Sequence, residues 1–372
     1  MIRHRSILCW VVLVAVGGFT RAQVPLTTAE GFAVPQPGKV FSFPRDHGSH
    51  PEFKLEWWYV TGHLYADTAG KAARRFGFQA TFFRQAAPDK SAQLHLAHMA
   101  VLDVASGKFF HQERLNRAGW DAAATETLDL RQGPWSLRLT DPAAIAGAER
   151  IELRGGIRAE AALALTLVPA KPLVVFGENS VSRKGAAPTA ASYYLTFSRL
   201  RAEGELTLGT EKLAVRGEAW MDHEISSSQL DPNQVGWDWV SIQFTDGREL
   251  MVYQLRTRGG GTDPASTLTW VDAAGKPVKQ KFTWEVLDTW RSPATGAVYP
   301  VRVALATTDP ANGAAVRYTL EPLAREQELA GSVGGIAYWE GACRVKDANG
   351  RVIGRAYLEL TGYIGRLADR FR

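Results

Sequence analysis

The chain has 372 residues, 45% hydrophobic and 22% charged, with a formal net charge of +5. Arg3, Arg5 and Arg21 all precede residue 23 in a stretch without acids, so the remainder carries only +2 and lacks the basic surface that nucleic-acid binding needs. Cys9 also lies in that stretch, leaving Cys343 alone and no internal disulfide; the fold must rest on its core, which about 350 residues can supply, most simply as two domains.

Residues 1–22 read as a secretory signal peptide. Arg3-His4-Arg5 is a basic start, Ile7 to Val16 is an apolar core too short to span a bilayer, and Ala22 is a small residue at the cleavage position. There is no twin-arginine pair, so the general secretory route to the periplasm or the exterior is expected.

Helical periodicity is scarce beyond residue 22. Short alternating or aromatic runs bounded by Gly, Asp, Asn and Pro predict strands at Glu56 to Tyr65, Arg75 to Arg84, Gln93 to Val104, Trp135 to Thr140, Ile151 to Arg154, Ala161 to Val168 and Ser192 to Arg199. Further strands are expected at Leu213 to Met221, Thr267 to Val271, Lys281 to Leu287, Val301 to Thr307, Arg317 to Pro322, Gly335 to Val345 and Val352 to Tyr363, besides a hairpin at 237–255. The total of about fifteen makes an all-β chain of two antiparallel barrels in tandem. The seam is expected in Arg201 to Glu218, giving an N-terminal domain over 36–215 and a C-terminal domain over 216–372. Residues 171–191 are long for a structureless connector and read as a functional flap.

In the hairpin, Asp246-Gly247 predicts a two-residue type I′ turn. That register pairs Thr245 with Arg248, Ile242 with Met251 and Val240 with Tyr253. It puts Asp238 and Tyr253 on one apolar face, and Trp237 and Trp239 on the other. An acid on an apolar face is a candidate for a raised pKa.

No serine-nucleophile elbow, phosphate loop, dinucleotide fingerprint or paired-cysteine motif occurs, and no cofactor is expected. His95 and His98 are three apart on a strand and point to opposite faces, so no metal site is expected; His98 is taken as an inward polar group of a barrel lumen. Asp222-His223-Glu224 follows a strand and is read either as a loop rim or as a proton-handling cluster at a barrel mouth. Among the tryptophans, Trp58, Trp237, Trp239 and Trp339 are candidate cavity walls, with Glu56 beside the first and Glu340 beside the last.

Taken together, Glu56-Trp57-Trp58-Tyr59 with Thr61-Gly62, Ser192-Tyr193-Tyr194, Trp220-Met221-Asp222-His223-Glu224, Trp237-Asp238-Trp239, Tyr338-Trp339-Glu340-Gly341 and Glu359-Leu360-Thr361-Gly362-Tyr363 resemble the lipocalin-like family of carotenoid 1,2-hydratases and attachment-type (AttH-like) secreted proteins. The resemblance implies lipocalin-like barrels and an extended hydrophobic ligand, isoprenoid or lipid-like. It also implies a cofactor-free hydro-lyase that adds water to an isolated double bond. In that reading Asp238 or Asp222 is the acid, His223 and Tyr253 orient water, and Glu56, Trp58, His98, Glu224, Trp237, Trp239, Trp339 and Glu340 line the ligand site. The alternative is a non-catalytic carrier or accessory protein of a membrane export system.

Overall fold

The computed structural model describes residues 24–67, 73–117, 121–142, 147–331 and 337–364, so the expected signal peptide lies outside the described residues. These contain twenty-three strands and one 3-10 turn, Arg45–His47. All strand pairings are antiparallel, and they form two sheets, one of thirteen strands and one of ten.

The first sheet runs in space from Lys108–Arg117 through Gln93–Asp103, Arg74–Ala86, Leu55–Ala66, Glu211–Ser228, Ala191–Leu208, Ala161–Pro169 and Ile151–Ile157 to short strands between Asp121 and Leu139. The second runs from Pro277–Gln280 through Thr267–Val271, Glu249–Thr257, Gln234–Phe244, Val352–Leu360, Ala337–Lys346, Ala315–Pro322 and Val298–Thr308 to Phe282–Arg291. Each sheet curls around its own core, as tandem barrels do. Trp58, Phe76, Phe78, Met99, Trp135 and Leu163 fill the first, and Val240, Ile242, Trp270, Val301, Leu320 and Trp339 fill the second. At about 2 kcal/mol for each large apolar side chain buried, these lumens are the stabilising mass of the fold.

The expected seam at 215/216 falls inside the Glu211–Ser228 strand, which pairs on both sides within the first sheet. The sheets exchange at residues 229–233 instead. Gly209, with φ of 57°, turns a hairpin between two eighteen-residue strands, so the turn chemistry that suggests a domain break lies within one sheet. The same strand carries Asp222, His223 and Glu224 in its interior, so this triplet is not a loop rim. Strand Lys108–Arg117 is additional to those expected, and the 171–191 connector contains two short strands, Val174–Phe176 and Ser182–Arg183, that pair with Ala191–Leu208.

The hairpin register is one residue off the expected one. Phe244 N donates to Arg248 O (2.9 Å) and Gly247 N to Phe244 O (3.3 Å), enclosing three loop residues rather than two. Gly247, at φ of 85°, supplies the left-handed position of a three-residue loop. Ile242 therefore opposes Leu250, Trp239 opposes Tyr253 and Asp238 opposes Gln254. A slip of one exchanges faces. Tyr253 joins Trp237 and Trp239, and Asp238 goes with Val240 and Ile242 on the other side.

The outer faces of the central strands of each barrel are covered by the other barrel. Close approach is permitted where Gly77 lies against Ala342; a Cβ on Gly77 would stand 2.6 Å from the Ala342 methyl carbon. A buried ionic latch joins the two: Arg199 Nε and Lys171 Nζ donate to the two oxygens of Glu249 (2.7 and 2.6 Å).

Candidate functional site

Both faces of the central strands are buried, one by the barrel core and one by the partner barrel. In the first sheet the partner-facing positions are Trp57 and Tyr59, paired in register with Glu224 and Asp222, and on the next strand Tyr194 opposes Glu224. In the second sheet they are Trp237, Trp239, Tyr253, Tyr338 and Glu359. These residues, with Thr81, Phe83 and Thr361, line a narrow interbarrel pocket.

Four carboxyls stand in or behind this pocket, each in a different setting. Asp222 Oδ1 accepts from Thr196 Oγ1 (2.6 Å) and Trp220 Nε1 (2.8 Å), and its Oδ2 accepts from Tyr194 OH (2.7 Å). Burial nevertheless pushes it up to about 7. Glu359 accepts from Trp237 Nε1 at a long 3.3 Å; burial, with the charges of Asp222 and Glu224 added, pushes it up to about 8. Glu224 faces the Lys184 ammonium at 2.8 Å and accepts from Ser192 Oγ. Glu340, behind the wall, accepts from Tyr59 OH, and burial raises it well above the carboxylate range. The Tyr253 hydroxyl is buried without a hydrogen-bond partner among the described residues.

Of the residues expected from sequence, Asp222, Glu224, Trp237, Trp239 and Tyr253 converge on this pocket. Asp238 does not. It points to the other side of its strand and accepts from Arg256 Nε (3.0 Å), Tyr363 OH (2.9 Å) and Gln254 Nε2 (3.2 Å), a saturated structural acid. Trp58 lies in the first core with its Nε1 donating to His47 O (3.0 Å), and Trp339 lies in the second core, donating to Arg325 O (2.8 Å). His98 sits at the interbarrel face rather than in a lumen; its Nδ1 is 2.7 Å from the Tyr338 hydroxyl, and burial pushes it down to about 3, so it is neutral.

His223 and Glu56 also face away from the pocket, into a second polar cluster at one end of the first barrel. His223 Nε2 lies 2.8 Å from Glu56 Oε1, His50 Nδ1 lies 2.9 Å from the same oxygen, and His50 Nε2 lies 3.0 Å from Asp46. Glu56 Oε2 accepts from Arg84 Nε, Ser49 Oγ and His50 N. Burial alone would raise Glu56, but the two histidine contacts and the Arg84 charge outweigh it and hold it well below the usual range. The donor atoms of His50, Glu56 and His223 lie within 4.8 Å of one another, the spacing of a metal-binding set. Hydrogen bonds and charge pairing already engage them, and the cluster ties the N-terminal segment into the barrel.

The sequence pattern favours the Glu56–Trp58 face of the first aromatic strand; the pocket uses its Trp57–Tyr59 face. The pocket also recruits Glu359 and Tyr194, with Lys184 paired to the lining Glu224, none of them expected. The motifs containing Glu359 and Tyr194 are visible in the sequence, and an acid between Leu358 and Leu360 is the available signal for the first. Nothing local marks Lys184, which the flap carries into the structure.

A family model described as AttH-like matches residues 34–363. A crystal structure from Nitrosomonas europaea, described as an AttH, shares 37% identity and superposes with a TM-score of 0.79, covering 90% of this chain and all of its own. Kievitone hydratase from Nectria haematococca superposes with a TM-score of 0.66 over 91% of this chain and 96% of its own; at 14% identity the likeness is one of fold. No curated protein matches significantly.

Proposed function

Because the chain belongs to the AttH-like family and encloses an aromatic, carboxyl-bearing pocket between its barrels, we propose that it binds a hydrophobic molecule there and adds water to one of its double bonds without a cofactor. The observation that carries this reading is the pairing of Glu359, which keeps its proton at neutral pH, with Asp222, which stands near its midpoint there. Two acids of offset strength in one pocket are the equipment for moving a proton in and another out.

Glu359 has few competing hydrogen bonds and is the better donor. Its carboxyl proton passes to one alkene carbon, and the positive charge on the other carbon faces the rings of Trp57, Trp237 and Trp239. Water adds to that carbon and gives up a proton to the Asp222 carboxylate, with the free Tyr253 hydroxyl placed to orient the water. The balance is one hydrogen and one hydroxyl added across the double bond, and proton return from Asp222 to Glu359 resets the site. His223 and Asp238, expected in these roles, act in the fold instead. The signal-like residues 1–22 favour work outside the cytoplasm.

A carrier reading draws on a different observation: Asp222 is already a fully engaged acceptor, as in a site built only to bind. The two separate on incubation with unsaturated isoprenoid and lipid extracts in ¹⁸O-labelled water. Hydration yields a product gaining one labelled water, abolished in Glu359→Gln. An extracted lipid that stays bound and unchanged identifies a carrier, and a wild-type rate in Glu359→Gln removes Glu359 from the chemistry.

A further inference from the structure

The pocket has a property that an ordinary lipid-binding cavity lacks. Eight of its thirteen lining residues are aromatic, three carry carboxyls, and none is basic. The planes of Trp57 and Trp237 lie 12° from parallel with centroids 6.5 Å apart, and Tyr253 closes on Trp237 at 5.9 Å. Ring faces carry negative charge density and attract cations, most strongly where water is excluded.

The protein already places one ammonium in this environment. The flap inserts Lys184, 1% exposed, so that its Nζ stands 4.0 Å and 4.5 Å from the ring centroids of Tyr253 and Tyr194 and 2.8 Å from Glu224. The flap is clamped in that position: Gln234 Nε2 donates to Lys184 O (2.9 Å), and Asp231 Oδ2 accepts from Ala186 N (2.6 Å) and Ala187 N (3.2 Å). Lys184 engages Glu224, and Asp222 is taken up by three donors, leaving Glu359, which accepts one long bond from Trp237 Nε1, to meet whatever enters. An anionic head group would face these carboxyls, with the nearby Lys184 already committed to Glu224.

We propose that the interbarrel pocket is a receptor for an organic ammonium head group, held between the tryptophan faces and the carboxyls. The proposal rests on the reading of this pocket as a ligand site and adds the charge of the ligand. The same field that steadies a transient carbocation recognises a permanent cation, so the two readings share one physical cause. Groups facing the bound head are Asp222, Glu359 and Glu224 with its Lys184, together with the phenols of Tyr59, Tyr194, Tyr253 and Tyr338. A bound cation favours the ionised carboxyls, so affinity rises and protons are released as pH increases through the range in which Asp222 and Glu359 titrate.

The test compares choline with its uncharged carbon analogue, 3,3-dimethyl-1-butanol, by tryptophan fluorescence of the full chain at pH 8. Choline should bind about tenfold or more tightly, the scale of a desolvated cation–π contact. Lys184→Met, which removes the ammonium from the Tyr194 and Tyr253 faces and leaves Glu224 with only its Ser192 Oγ contact, should strengthen choline binding further; a gain of affinity cannot arise from misfolding. Equal or tighter binding of the alcohol overturns cation recognition and leaves the pocket as a ligand site. Binding of neither probe overturns both.

Discussion

Replacing Glu359 by Gln should stabilise the protein at neutral pH, and by an amount that depends on pH. Glu359 titrates at about 8 in the fold against 4.5 ordinarily, because burial penalises its charged form. Between those values the folded state holds more protons than the unfolded state, so stability falls as pH rises. At 1.36 kcal/mol per unit, the loss assigned to this one group between pH 5 and 7 is about 2.5 kcal/mol, approaching about 5 kcal/mol once pH exceeds both values. Glutamine keeps the shape and cannot ionise, so it escapes this loss. The assay is thermal unfolding of wild type and Glu359→Gln at pH 5, 6, 7 and 8. The difference should widen in the variant's favour by about 2–3 kcal/mol from pH 5 to 7, or about 3–5 °C in Tm for a chain of this length. Parallel curves would show that Glu359 is ionised throughout, and the proton-donor role would go with them.

Three other substitutions probe the pocket, the structural acid and the turn. Tyr253→Phe removes a buried hydroxyl without a partner, so unfolding measurements should show stability unchanged or higher by up to about 1 kcal/mol, while the rate of hydration falls about tenfold. Asp238→Ala should cost about 2–3 kcal/mol in denaturant unfolding, less than for a fully buried pair because the Arg256 side chain keeps 19% exposure; pocket binding by the folded fraction should persist, and its loss would return Asp238 to the site. Gly247→Ala meets no atom within 4 Å but must hold φ near 85°, so it should cost about 1–2 kcal/mol in the same assay without changing ligand affinity.

The sequence is legible where the deciding forces are local. Strand Thr267–Val271 can be placed to the residue because alternation and flanking turns define it. Asp222-His223-Glu224 resembles the end of a strand because polar residues on both faces imitate a loop; in the fold, one face meets the Glu56 and His50 cluster and the other meets the pocket. The hairpin is recognisable, but its register is not. Asp-Gly serves a two-residue turn and a three-residue loop equally well, and here Asp246 Oδ1 accepts from Arg248 N (3.0 Å) within the longer one. That single residue transfers Tyr253 to the tryptophan face and so parts it from Asp238, which stays on the opposite side. Glu359 lies inside a recognisable motif, yet its exposure to the pocket depends on how the two barrels meet, which no local pattern encodes.

The ligand is expected to lie between the barrels and not inside either one. A crystal structure of the protein with a bound hydrophobic ligand, soaked or carried through purification, tests it directly. Ligand density is expected against Trp237, Tyr253 and Tyr59, within reach of Glu359. Density inside either barrel, displacing Trp58 and Phe78 or Trp270 and Trp339 from their cores, would contradict it.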